Sequence, residues 1–262
     1  MLPKAKKTFG QNWLVDQTIV AKIVQAAEIQ SGDRVLEIGP GTGVLTQALV
    51  DAGARVTAIE VDQELIKPLR DRFGDSIELI EGDLFSMSTV YCLPSTSYSL
   101  ISNIPYNLTS DILRRFLTTP PRPKRMVLML QREVADRITA KPGRMSLLSV
   151  MCQLYANCQR VCVVPAGAFR PIPKVDSAVV RLDLFEVDQF GLDTFDPERV
   201  IAIAKVGFSS PRKQLAGNLT SGGLIGKKEA HELLEQLGLD SRVRAEGLSV
   251  EQWIGLARGI ML

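Results

Sequence analysis

Short apolar runs alternate with helix-spaced stretches through the first half of the chain. Arg34–Ile38, Arg55–Ile59, Ile77–Ile80 and Tyr98–Ile101 read as short buried strands, and Val44–Val50 carries apolar residues at helical spacing. The alternation continues to Leu130, which implies a parallel sheet with right-handed crossovers. Cys158–Val164 and Ala178–Leu184 read as two later strands joined by the Phe169–Pro173 loop, the last of them antiparallel. Past Pro197 the spacing turns helical over Glu198–Phe208, Lys227–Leu237 and Val250–Ile260, with Gly238 as a C-cap. The pattern predicts a Rossmann-like α/β domain over residues 1–185 and a small helical domain over 186–262.

Between the first strand and its helix lies Gly39-Pro40-Gly41-Thr42-Gly43. Glycines there let a ligand approach the backbone, and nucleotide-like cofactors bind beyond the carboxyl ends of parallel strands. Such a turn can hold NAD, FAD or S-adenosylmethionine, or merely connect a strand to a helix. Its spacing departs from the dinucleotide fingerprint G-x-G-x-x-G, because Gly43 follows Gly41 by two positions and Val44 stands where the third glycine belongs. Glu37 precedes the turn, giving E-x-G-x-G-x-G. Glu60, at the end of the second strand, can accept hydrogen bonds from ribose hydroxyls, and Asp83, after the third, suits an adenine amino group. A cofactor with adenosine but no pyrophosphate fits this set better than NAD. The plainer reading of the two carboxylates is that they cap the helices that follow.

The fourth strand runs into Ser102-Asn103-Ile104-Pro105-Tyr106-Asn107. Asn103 offers an amide carbonyl, and Pro105 biases Ile104 toward an extended conformation that frees its carbonyl. Two acceptors can thus converge on one exocyclic NH2 group while Tyr106 stacks on a flat ring. The alternative is an ordinary strand-to-helix turn with Thr109-Ser110-Asp111 as the cap.

Beyond these features the chain resembles the ribosomal RNA adenine dimethyltransferases of the KsgA type. The resemblance runs from Lys6 to Ile260 and rests on Phe9-Gly10-Gln11-Asn12-Trp13-Leu14, the glycine turn, Asn103–Tyr106, Gln131–Arg137 and the run Gly167–Val179. It implies a class I S-adenosylmethionine-dependent methyltransferase sheet and transfer of two methyl groups to N6 of each of two adjacent adenosines near the 3′ end of small-subunit (16S) rRNA. By the same resemblance Asn12, Leu14, Gly39, Gly41, Glu60, Asp83 and Asn103 hold the cofactor, and Asn103, Pro105 and Tyr106 form the catalytic turn. Phe169 faces Tyr106 across the target base; Arg212 and Lys213 are candidate RNA contacts by their place in a basic stretch of the chain. The partner implied is small-subunit rRNA in a pre-30S-type particle, bound by a monomer during ribosome biogenesis. Trp13 stands where Phe is more usual, Ile104 where Leu is, and the Lys141–Met145 loop is short.

Composition narrows the alternatives. With 262 residues, 45% apolar and 23% charged, the chain can bury a main core and a smaller second one. No signal peptide or apolar run of membrane-spanning length is present, which predicts a cytoplasmic protein with no membrane partner. Cys92, Cys152, Cys158 and Cys162 lack C-x-x-C spacing and are expected to be reduced thiols. The single histidine, His231, removes His-based zinc sites and Ser-His-Asp catalysis, and no metal is expected. Net charge is only +2, yet residues 114–144 hold nine bases against two acids, and 200–228 hold five bases and no acid. Both stretches are candidates for a phosphate track. Residues 183–198, with six acids and no base, read as the linker.

Overall fold

The computed structural model describes residues 3, 5, 6, 10–86, 97–185 and 196–260. Phe9, Cys92 and most of the acidic linker lie outside the described residues. The main sheet has seven strands: β2 (Arg34–Ile38), β3 (Arg55–Glu60), β4 (Ile77–Glu81), β5 (Ser99–Asn103), β6 (Arg125–Gln131), β7 (Ala156–Val164) and β9 (Ser177–Leu184). Their order is β4-β3-β2-β5-β6-β9-β7, with parallel pairing from β4 through β6 and β9 antiparallel to β6. In β2, β5 and β6 nearly every residue is buried, which explains why these strands are continuous apolar runs and not alternating ones. Helices α1 (Gln17–Ala27), α2 (Val44–Asp51), α3 (Gln63–Phe73) and α4 (Thr109–Thr118) accompany this sheet.

Two further strands form a separate antiparallel pair, β1 (Trp13–Leu14) with β8 (Phe169–Arg170). Residues 155 apart in sequence meet there: Leu14 registers against Phe169. Two-residue strands carry no periodicity of their own, so no local pattern reveals this pair.

The chain forms two compact units, one of residues 1–135 and 157–184, the other of 136–156 and 185–262. Residues 136–156 group with residues 185–262 and not with the sheet. Long-range backbone bonds are the reason: the Gly143 and Met145 N–H groups both donate to the Glu246 carbonyl at 2.8 and 3.1 Å, and the Phe185 N–H donates to the Tyr155 carbonyl at 2.9 Å. The helical unit contains the end of α5 (Arg132–Ile138), then α6 (Leu147–Tyr155), α7 (Pro197–Gly207), α8 (Leu215–Ser221), α9 (Lys227–Gln236) and α10 (Val250–Gly259). Trp253 is fully buried in it, 5.5 Å from the Phe208 ring, and the buried Asn218 amide satisfies the Gly207 and Ser210 carbonyls at 2.6 and 3.1 Å. Gly238 follows α9 with φ +70°, the left-handed conformation expected of a C-terminal glycine. Thr109–Asp111 do not cap α4; they are its first turn, entered through a short 3₁₀ turn at Tyr106–Leu108.

Candidate active site

The strand order reverses between β2 and β5, and there the sheet opens. The two strands register only at Val35–Ser99 and Leu36–Leu100. Past that point the buried Ser102 hydroxyl donates to the Ile38 carbonyl at 2.6 Å, satisfying an acceptor that the diverging ladder would leave bare. A cavity of about 260 Å³ lies beyond the carboxyl ends of these strands, the position where open α/β sheets bind ligands.

One half of the cavity is built by the glycine turn and the ends of β2 and β3. Gly39, Gly41 and Gly43 have φ of +67°, +59° and +74°. At Gly41 a Cβ would stand 2.9 Å from the Trp13 ring, so the indole packs directly on the turn and no larger residue fits. The buried Glu60 carboxylate accepts one N–H on each oxygen, from Asp62 at 2.9 Å and from Gly41 at 3.2 Å. Each oxygen retains a lone pair for a further donor, so vicinal ribose hydroxyls can be accepted together. Burial raises the Glu60 pKa, and the backbone N–H groups counter part of that rise. Glu37, also buried in the cavity wall, is pushed up to about 8 by desolvation, against the Thr46 hydroxyl that donates to it at 2.7 Å. It is therefore mostly an uncharged acid at neutral pH. Asp83 lies exposed at the rim and accepts from the Phe85 N–H at 2.9 Å, so it caps a turn and lines the cavity at once.

The other half is assembled from distant segments. Asn103 ends β5, and its amide nitrogen makes a long 3.5 Å contact to the Asn12 carbonyl, leaving its carbonyl oxygen to accept. The Ile104 N–H donates to the Met129 carbonyl at 3.3 Å, while among the described residues no donor reaches the Ile104 carbonyl. The Tyr106 hydroxyl is 2.7 Å from that of Ser177, the fully buried first residue of β9. Burial raises the Tyr106 pKa and keeps it a neutral phenol. Phe169 is buried in the wall through the β1–β8 pair.

Of the twelve residues named from the sequence as catalytic or binding, ten line this cavity, and Arg212 and Lys213 do not. Those two are exposed in the helical unit, between α7 and α8. Several bases of residues 114–144 are engaged in ion pairs and not left open for phosphate: Arg125 with Glu28 and Asp183, Lys124 with Asp33, Arg132 with Asp176. Ser102 and Ser177 were not foreseen, because each acts through a partner brought near only by folding. Among the described residues no disulfide links the cysteines, no group of side chains could hold a metal ion, and no helix is long and apolar enough to cross a membrane.

A glycine turn after the first strand, a ribose-suited carboxylate after the second and a cavity at the switch point define a class I S-adenosylmethionine-dependent methyltransferase. Known proteins narrow this class. A profile of the family described as "Ribosomal RNA adenine dimethylase" matches residues 2–260, and the chain belongs to that family. The chain is 41% identical to "Ribosomal RNA small subunit methyltransferase A" of Acaryochloris marina, over 99% of this chain and 98% of that one. The same-named protein of Thermosynechococcus vestitus is 41% identical over 97% and 96%. Among solved structures, the 23S rRNA methyltransferase ErmE is 29% identical with a TM-score of 0.78, covering 95% of this chain and 99% of its own. A dimethyladenosine transferase from Plasmodium falciparum is also 29% identical, with a TM-score of 0.78 and coverage of 93% and 95%.

Proposed function

We propose that this enzyme dimethylates N6 of two adjacent adenosines near the 3′ end of small-subunit rRNA, acting as a monomer on a precursor of the small subunit in the cytoplasm. The observation that carries the chemistry is the pair of acceptors, the Asn103 side-chain carbonyl and the Ile104 main-chain carbonyl, on a turn beside the Glu60 end of one cavity. The choice of the small subunit is supported by the relatives of that name at 41% identity; the likeness to ErmE, named for 23S rRNA, supports the fold and leaves this choice to the relatives.

In this reading Glu60 holds the ribose, Asp83 the adenine, and Gly39 and Gly41 bring backbone against the cofactor, with Asn12 and Leu14 at its methionine end. When bound, S-adenosylmethionine supplies an electrophilic methyl group. The N6 lone pair of adenine is delocalised into the ring and is a poor nucleophile. Asn103 and Ile104 accept the two amine hydrogens, which draws the nitrogen toward tetrahedral geometry and localises the lone pair. Tyr106 and Phe169 clamp the ring, and the base must leave its stack to enter. The nitrogen becomes acidic as it acquires its new bond, and its proton passes to water. No strong base is required, in keeping with a neutral Glu37 and Tyr106. Positioning of reactants can contribute roughly 7–11 kcal/mol.

The test is incubation with labelled S-adenosylmethionine and, separately, unmodified small-subunit particles and unmodified large-subunit rRNA, followed by nucleoside mass spectrometry. Dimethyladenosine in the small-subunit sample alone is expected. Product only from large-subunit RNA overturns the substrate assignment, and tight binding without product overturns the catalytic one.

A further inference from the structure

Asp62, a residue outside the cavity wall, gathers more partners than its place in the fold requires. It is the N-cap of α3, where the Glu64 N–H donates to its Oδ1 at 3.2 Å. That one bond is sufficient for a cap. Lys6 Nζ lies 2.7 Å from the same oxygen, Gln11 Nε2 donates to Oδ2 at 2.7 Å, and Lys6 Nζ also reaches Glu64 at 3.0 Å. Lys6 and Gln11 are joined to each other, the Lys6 N–H donating to Gln11 Oε1 at 2.7 Å. The Asp62 side chain is only 4% exposed. Burial works to raise its pKa, but the bonds from Lys6 and Gln11 outweigh it and hold the carboxyl below its ordinary value.

Two facts connect this cluster to the cavity. Gln11 belongs to the Gly10–Leu14 run that lines the cavity wall. That run is fixed at its far end by the β1–β8 pair and by the Val15 N–H bonded to the Ala168 carbonyl at 2.9 Å. At its near end the side-chain tether is Asp62. The main-chain N–H of the same Asp62 donates to Glu60 Oε1, so the tether and the ribose-binding carboxylate share one residue.

We infer that Asp62 is a positioning residue that braces the N-terminal wall against the Glu60 end of the cavity and thereby sets how long S-adenosylmethionine stays bound. The inference rests on Glu60 being the ribose ligand. Asp62 touches neither substrate nor cofactor; its effect passes through Gln11 and Glu60.

Lys6→Met and Asp62→Asn test it, since Asn preserves the helix cap and hence the fold. Cofactor dissociation by stopped flow and hydrogen exchange at Gln11–Leu14 are both read without RNA. Each variant is expected to speed dissociation about five- to tenfold and to raise exchange in that run, with the double variant no worse than the more affected single one. Lys6→Arg should restore wild-type behaviour, and kcat at saturating cofactor should change less than about twofold, as for an interaction that serves binding alone. Unchanged dissociation in both variants, or effects that simply add, would overturn the brace. Glu60→Gln separates the underlying reading: undiminished cofactor affinity there removes the ribose assignment, while exchange at Gln11–Leu14 still decides whether Asp62 holds the wall.

Discussion

The two halves of the cavity hold their polar groups in different ways. In one half, Glu60 and Glu37 are buried and have fixed partners from the glycine turn, a helix start or a neighbouring hydroxyl. Around Asn103 and Tyr106, side chains from three distant segments are held by single bonds, one of them as long as 3.5 Å. A buried carboxyl group must have its hydrogen-bond partners supplied in advance, whereas an aromatic cleft needs shape and two well-placed acceptors. The Glu60 half should therefore be rigid and costly to alter, and the Asn103 half adaptable except at the atoms that, in the proposed function, touch the reacting amine.

The largest expected effect tests that exception. Asn103→Ala should lower single-turnover methylation by about 10²- to 10³-fold while leaving RNA affinity near wild type. Comparable turnover would remove Asn103 from the chemistry. Glu60→Gln should weaken cofactor binding by about 10- to 100-fold in calorimetry, because a buried charged acceptor is lost. Gly41→Ala combines a positive φ with a clash against Trp13 and should destabilise the fold by about 1–3 kcal/mol in denaturant titration. Adding Trp13→Phe should recover part of this loss, which would locate the strain in the indole contact. Ser177→Ala, in the adaptable half, should cost only about threefold to tenfold in kcat/KM for RNA, with a raised share of monomethyl product as the Tyr106 ring loses its anchor.

The smallest effect is a slope. Glu37 has a folded pKa near 8, raised from an ordinary 4.5 by burial, so the folded state binds the proton more tightly than the unfolded chain. Its contribution to stability is complete below about pH 4.5 and is lost as pH rises through 8. Glu37→Gln should flatten the stability profile across that window, as measured by thermal melts at several pH values. An unchanged profile would show that Glu37 is solvated and would weaken the contrast between the halves.

Legibility followed the same division. Glu37, the glycine turn, Glu60 and Asp83 stand at successive strand ends, and together they argued for adenosine without pyrophosphate. Asn103–Tyr106 was readable because an amide, a proline and an aromatic stand in succession at a strand end. Phe169 came from resemblance, and its partner across β1–β8 was invisible because two-residue strands carry no period. The basic count over residues 114–144 overstated the surface free for phosphate, since composition cannot register that Arg125 and Arg181 share Asp183 and Glu28 across the sheet.

Local order thus determined the strand and helix periods, the left-handed glycine turn and the kinds of donor and acceptor at each strand end, all consequences of neighbours along the chain. Only the tertiary structure decided that residues 136–156 pack with the helical unit, that Ser177 meets Tyr106 and that Asp62 gathers Lys6 and Gln11. Each of those pairings joins groups far apart in sequence, and a hydrogen bond's partner is chosen by where burial leaves a polar atom in need of one.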